Sequence, residues 1–150
     1  MRARRGFSLI ELLMVFVIFG LMVAIGVPRF VYVRQTLSVK GAKDELATYI
    51  STARAASIRR GREARFILSG NQIRVMVDSS GTYVTLGQPI RLDTSFAVSI
   101  TPTTDTVRFN SRGIAVAGVL KKFVVTRSTA KDSVCVSRLG VIMKDNCTDL

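Results

Sequence analysis

Histidine and tryptophan are absent from this chain of 150 residues, cysteine occurs twice and proline three times. Without histidine there is no His-based catalytic triad, and two cysteines cannot supply the four Cys/His ligands of a structural zinc site. Acidic residues are also scarce, ten against 22 lysines and arginines. Their one close pairing, Asp44-Glu45, falls in an expected helix beside Lys43 and reads as a solvated face. Carboxylate chemistry is left without a constellation, so the residues point away from an enzyme, and no cofactor or metal site is expected. The excess of positive charge, formally +12, favours anionic partners: nucleic acid, anionic lipid or acidic protein surfaces.

What the chain does have is one long apolar run, Phe7 to Val27, broken near its start by Glu11. The run approaches the ~20 residues of a membrane-spanning helix. It is longer than the apolar core of roughly 7–15 residues in a secretory signal, and no small-residue cleavage site follows it. Arg2, Arg4 and Arg5 precede it and hold the N-terminus on the cytoplasmic side, so the rest is exported. Arg29 and Arg34 weaken that asymmetry without reversing it. A plain single-pass anchor satisfies the topology but leaves Glu11 unexplained. A carboxylate within a span costs about 2.5–3.5 kcal/mol on insertion scales, and such residues are partnered and functional.

The segment RRGFSLIELLMVFVIFGLMVAIGVPRF resembles the class III signal of type IV prepilins and type II secretion pseudopilins. Four features coincide at fixed spacing: a basic leader ending in Gly6, then Phe7, then Glu11 as the fifth residue beyond the junction, and Pro28 just past the apolar run. The resemblance implies that a prepilin peptidase cuts between Gly6 and Phe7 and N-methylates Phe7. Cleavage would create a cationic amine about one helical turn from Glu11. The resemblance further implies that Glu11 meets the Phe7 amine of a neighbouring subunit in a filament, a pairing that offsets the buried charge and sets register. Glu11 is then an assembly residue.

Beyond Pro28, apolar residues recur at Phe30, Val33, Leu37, Leu46, Ile50, Ala53 and Ala56 or Ser57, one face of a helix with Arg34, Lys40, Lys43 and Glu45 around it. Gly41 is a weak point where this helix is expected to bend. Arg59-Arg60-Gly61 is a stop signal. A helix from Phe7 to Arg60 would be about 80 Å long at 1.5 Å per residue. From Gly61 onward the pattern is one of short strands between turns: ARFILS and QIRVMVD around a Gly70-Asn71 hairpin, then TYVTL, PIRL, FAVSIT, TVRF, GIAVAG, KFVVTR and SVCVS. The organisation expected is leader 1–6, spanning half-helix 7–27, amphipathic half-helix 28–61, and one antiparallel β domain over 62–150. VRFNSRGIAVAG, KKFVVTR and VCVSRLGVIMKDNC resemble the GspH/FimT branch of minor pilins and pseudopilins, with Phe109 and Gly113 at the spacing of its F-x-x-x-G segment. That resemblance implies an α+β, pilin-like fold: a long N-terminal helix packed on two small antiparallel sheets.

Cys135 and Cys147 would face an oxidising compartment after export, where a disulfide is expected; two separate buried thiols are the alternative. Such a bridge stabilises a loop of this size by roughly 3 kcal/mol in the chain-entropy estimate. Loss of Arg2, Arg4 and Arg5 leaves 19 basic residues against 10 acidic. They cluster at Arg54, Arg59, Arg60, Arg62 and Arg65, and again at Lys121, Lys122, Arg127, Lys131, Arg138 and Lys144. Phosphate contacts need only such charge, yet a solvated face or a match to an acidic neighbouring subunit needs no more. DNA-uptake members of the branch carry a G-R-x-R segment; here the corresponding stretch, Gly140 to Lys144, has neither arginine. The resemblance as a whole implies a non-enzymatic minor subunit of a type II secretion system or type IV pilus. Its partners would be other pilin or pseudopilin subunits, the prepilin peptidase and an inner-membrane assembly platform. It would sit as a single-pass protein in the bacterial inner membrane with a periplasmic C-terminal domain, and afterwards in a filament. The alternative is a DNA-binding minor pilin acting in DNA uptake for natural transformation, with Lys121, Lys122, Arg138 and Lys144 as contacts.

Overall fold

The computed structural model describes residues 8–116, 120–144 and 147, and the chain divides into two compact units after Arg34. The first is helical. Here α1 (Leu9–Arg60) begins, with the Ser8 carbonyl accepting the backbone N–H groups of Glu11 and Leu12 at 3.1 and 3.2 Å. Pro28 removes one backbone donor, yet the helix runs through it. Every side chain from Ser8 to Arg34 is exposed. The most apolar 18-residue stretch has a mean hydropathy of 2.7, so by length and composition the helix suits a bilayer.

The second unit holds the rest of α1 and two antiparallel sheets. Burial on α1 starts at Val39 and continues through Ala42, Leu46, Ala47, Ile50, Ala53 and Ala56. These are intervals of three and four, which put them on one face. Phe30, Val33 and Leu37, expected on the same face, are exposed. The buried stripe is rich in alanine, whose small side chains add little bulk to this face. Gly41 does not act as a bend: the helix continues through it, and a Cβ there would lie 2.9 Å from the Phe96 ring. Its missing side chain is the seat of an aromatic ring.

The first sheet contains β1 (Ala64–Ser69), β2 (Gln72–Ser79), β3 (Thr82–Arg91) and β5 (Thr104–Phe109), ordered β3-β2-β1-β5. The second contains β4 (Ser99–Thr101), β6 (Lys121–Arg127), β7 (Ala130–Val136) and β8 (Ile142–Met143), ordered β4-β6-β7-β8. Gly70 and Asn71 both have positive φ, as do Ser80 and Gly81. That is the primed-turn geometry whose twist matches flanking strands, and it fixes the β1–β2 and β2–β3 hairpins. Inward residues alternate along the strands: Ala64, Phe66 and Leu68 on β1, Ile73, Val75 and Val77 on β2, Phe123 and Val125 on β6. Phe66 and Phe123 meet edge to face across the two sheets, centroids 5.7 Å apart. The Asn71 side chain also crosses between sheets, accepting the Ile100 backbone N–H at 2.9 Å.

Three strand expectations change. TYVTL and PIRL form a single strand, β3, whose register with β2 shifts between Ile73 and Val75. Gly87, at φ +77, lies in the bulged part, and Pro89 is tolerated because β3 is an edge strand. FAVSIT is not one strand, because Phe96 closes the short helix α2 (Leu92–Phe96) and Ala97 turns left-handed. Within GIAVAG, Ala115 makes one isolated bridge to Phe109. Asn110 Oδ1 accepts the N–H groups of both Arg112 and Ile114, curling residues 110–114 into a loop, while Ala117 and Gly118 lie outside the described residues.

Gly140 closes the second unit against that loop. Its φ is +76, and a Cβ there would stand 2.5 Å from the Gly113 carbonyl oxygen. Gly70, at φ +54, has open space where a Cβ would go. Gly70→Ala should therefore lose only the left-handed backbone penalty of about 1–2 kcal/mol, whereas Gly140→Ala adds a backbone clash and should lose clearly more. Urea unfolding of the detergent-solubilised protein, followed by circular dichroism, measures both. Equal losses would show that the loop yields to the added methyl.

Candidate assembly site and basic surfaces

Glu11 lies in the first turn of α1, where a carboxylate is favoured by the helix dipole. Its neighbours one turn on, Met14 and Val15, are apolar. The next ionisable residue along the helix is Arg29, eighteen positions and about 27 Å away. No cation on the following turns of its own helix reaches it. Gly6 and Phe7, the expected cleavage and methylation positions, lie outside the described residues.

Cys135 and Cys147 form a disulfide, with Cα atoms 5.8 Å apart. Cys135 is buried on β7, opposite Met143 of β8. The bridge therefore fixes Cys147 to the middle of the second sheet, where Ser133 Oγ lies 3.4 Å from its sulfur.

The basic residues do not make one surface. Lys121 bonds to Asp105 at 2.5 Å, and Lys144 to Asp44 at 2.7 Å. The Lys144 ammonium holds the Asp44 carboxyl below its ordinary range, chiefly by that hydrogen bond. Lys121 and Lys122 are consecutive in β6 and so face opposite sides of the sheet. Lys122 and Arg138 are exposed. Of the four candidate DNA contacts, two are thus engaged by the protein's own carboxylates. In the other cluster, Arg65 bonds to Glu63 at 2.7 Å and to the Tyr83 hydroxyl at 2.6 Å, with its guanidinium 3.8 Å from the Tyr83 ring centre. Burial first, and then the bond to Glu63, push the Tyr83 hydroxyl up from its ordinary value. Arg62 reaches Asp78 at 3.7 Å. Arg54 Nε donates to the Gly113 carbonyl at 3.0 Å, tying α1 to the β5–β6 loop.

Lys43, expected on a solvated face, is buried. Its ammonium pairs with Asp132 of β7 at 2.7 Å. Nothing in the local sequence distinguishes it from Lys40, because the partner lies 89 residues on. The Arg65–Tyr83–Glu63 cluster was equally hidden, since hairpin register alone brings β1 and β3 onto either side of β2. Among the described residues no group of three His, Cys, Asp or Glu side chains is placed to hold a metal ion.

Comparison with known proteins follows the same division of the chain. Residues 1–27 match the prokaryotic N-terminal methylation motif. Two crystal structures of the type IV minor pilin FimU from Pseudomonas aeruginosa PAO1 share the fold, with TM-scores of 0.58 and 0.57 at 14% and 15% identity. They cover 74% and 73% of this chain, and 90% and 94% of the FimU chains. No curated protein matches the chain by sequence. Residues 42–140, which contain the buried helix face, the hairpins and both sheets up to Gly140, match the family of type II transport protein GspH, and the chain belongs to that family.

Proposed function

We propose that this chain is a structural minor subunit, a pseudopilin of a type II secretion system or a minor pilin of a type IV pilus. One observation carries the reading: a single chain joins the N-terminal methylation motif, over residues 1–27, to a GspH-family domain over 42–140. The first is a processing and assembly signal, and the second belongs to families of structural subunits. The FimU likeness contributes the fold, a long helix followed by two antiparallel sheets. No observation favours the DNA-uptake alternative over this one.

In this reading the apolar helix anchors the newly made protein in the inner membrane with the β domain in the periplasm. The peptidase cuts between Gly6 and Phe7 and methylates Phe7, and an inner-membrane platform transfers the subunit to the filament beside other pilins. The exposed apolar surface of Leu9–Val27 is what a bilayer, and later neighbouring helices, would cover. Glu11 has no cation on the following turns of its own helix, which supports a partner from another subunit, the methylated Phe7 amine. That ion pair would form where water is scarce and Coulomb attraction is strong.

Two outcomes are expected. Mass spectrometry of the membrane-extracted protein should find a chain beginning at N-methyl-Phe7; an intact Met1 start in cells with active prepilin peptidase would refute the processing step. Glu11→Val should insert into the membrane at least as well as the parent, because it removes a charge from the span. Its incorporation into filaments should drop roughly tenfold or more, the scale of a broken buried ion pair. Normal co-assembly of the variant, scored by co-purification with sheared filaments, would show that Glu11 serves something else.

A further inference from the structure

Among the described residues beyond Arg34, seven large apolar side chains are exposed, and five of them belong to three segments that meet at one place: Ile58, Ile114, Val116, Leu139 and Val141. The other two, Leu37 and Val84, lie elsewhere on α1 and β3. Single exposed apolar residues are ordinary, but a contiguous group is not. Contact between the segments is direct. Gly113, beside Ile114, is packed on the Ile58 side chain, and Gly140, between Leu139 and Val141, is packed on the Gly113 carbonyl. Both loops are also held in shape. Asn110 clasps the first through Arg112 and Ile114, and Ser137 clasps the second through the Val141 N–H at 3.0 Å. The five side chains, 38% to 67% exposed, are thus presented by ordered backbone.

The charge carried by these three segments has one sign. Residues 54–60, 109–116 and 137–143 include Arg54, Arg59, Arg60, Arg112 and Arg138 and no aspartate or glutamate. Arg59 and Arg60 complement the carboxyl end of α1, but Arg112 and Arg138 are exposed on loops where no helix end needs them. Among the described residues, none of Arg59, Arg60, Arg112 and Arg138 has a salt-bridge partner within the chain. An apolar centre with an arginine rim is the composition of protein interfaces.

We propose that this patch docks a different protein, through a surface with apolar residues at its centre and aspartate or glutamate around it. A second copy of this chain does not fit, because like patches would bring arginine rims face to face. A nucleic acid would leave the five apolar side chains without a counterpart. The proposal does not depend on the filament reading, since a partner outside any filament would satisfy it.

The test is photo-crosslinking of the full-length chain in its host, with Leu139→p-benzoylphenylalanine and, as control, the same replacement at Val84. The expected result is an adduct from position 139 whose partner peptide, sequenced by mass spectrometry, comes from another protein and carries more Asp and Glu than Lys and Arg. Adding Arg112→Glu and Arg138→Glu should lower its yield about fivefold or more, while Arg112→Lys and Arg138→Lys should retain it, because charge sign and not side-chain shape selects the partner. Unchanged melting temperature of the charge variants separates lost docking from lost folding. The proposal is overturned by an adduct to a second copy, lipid, nucleic acid or a non-acidic peptide, by equal yield from Val84, by no adduct, or by a yield indifferent to charge reversal.

Discussion

Everything in the second unit depends on one face of α1 being covered by both sheets. Leu46 and Ile50 are fully buried, and burial of such side chains stabilises by about 1.5–3 kcal/mol each. Ala42, Ala47, Ala53 and Ala56 lie on the same face, contribute less area and are also buried; a larger residue at any of them would have to displace its neighbours. Hairpin turns, disulfide and ion pairs all hold sheets whose inner surfaces are defined by that helix face.

Charge is distributed by a second constraint, the use of carboxylates inside the domain. Among the described residues, Asp44, Glu63, Asp78, Asp93, Asp105 and Asp132 sit in salt bridges. Most of these pairs are exposed enough to add little stability. Lys43–Asp132 is different: its ammonium is nearly sealed, and removal of Asp132 would strand a buried charge. With the acids drawn into pairs, Arg59, Arg60, Arg112 and Arg138 are left exposed at the helix end and its adjoining loops, while Arg74 and Arg108 are exposed on the first sheet.

Much of the architecture was legible because it is written in short-range chemistry. Gly70-Asn71 announces a hairpin through residues that accept positive φ, and Arg59-Arg60-Gly61 ends α1 where the sequence says it should. Glu11 was legible as an anomaly, a charge in an apolar run. Long-range features were not. GIAVAG has strand composition, but the Asn110 side chain takes the Ile114 N–H, and among its described residues only Ala115 bridges to β5. Gly41 looked like a flexible point because the Phe96 ring that fills its place lies 55 residues away. Cys135 and Cys147 left two arrangements open until β7 and β8 were seen to pair beside them.

The helix from Leu9 to Val27 leaves every side chain uncovered, and this has a consequence for how such a segment changes surroundings. Lipid tails are about as apolar as leucine, so moving these side chains from bilayer to a bundle of like helices yields no hydrophobic gain. For a subunit stored in a membrane and drawn into a fibre, the apolar stretch is a neutral bearing, able to slide from one medium to the other in either direction. Polar atoms then decide where it stops. In the proposed reading, the Glu11 carboxylate near one end would be a detent, idle in transit and engaged only when a neighbour's amine comes level with it.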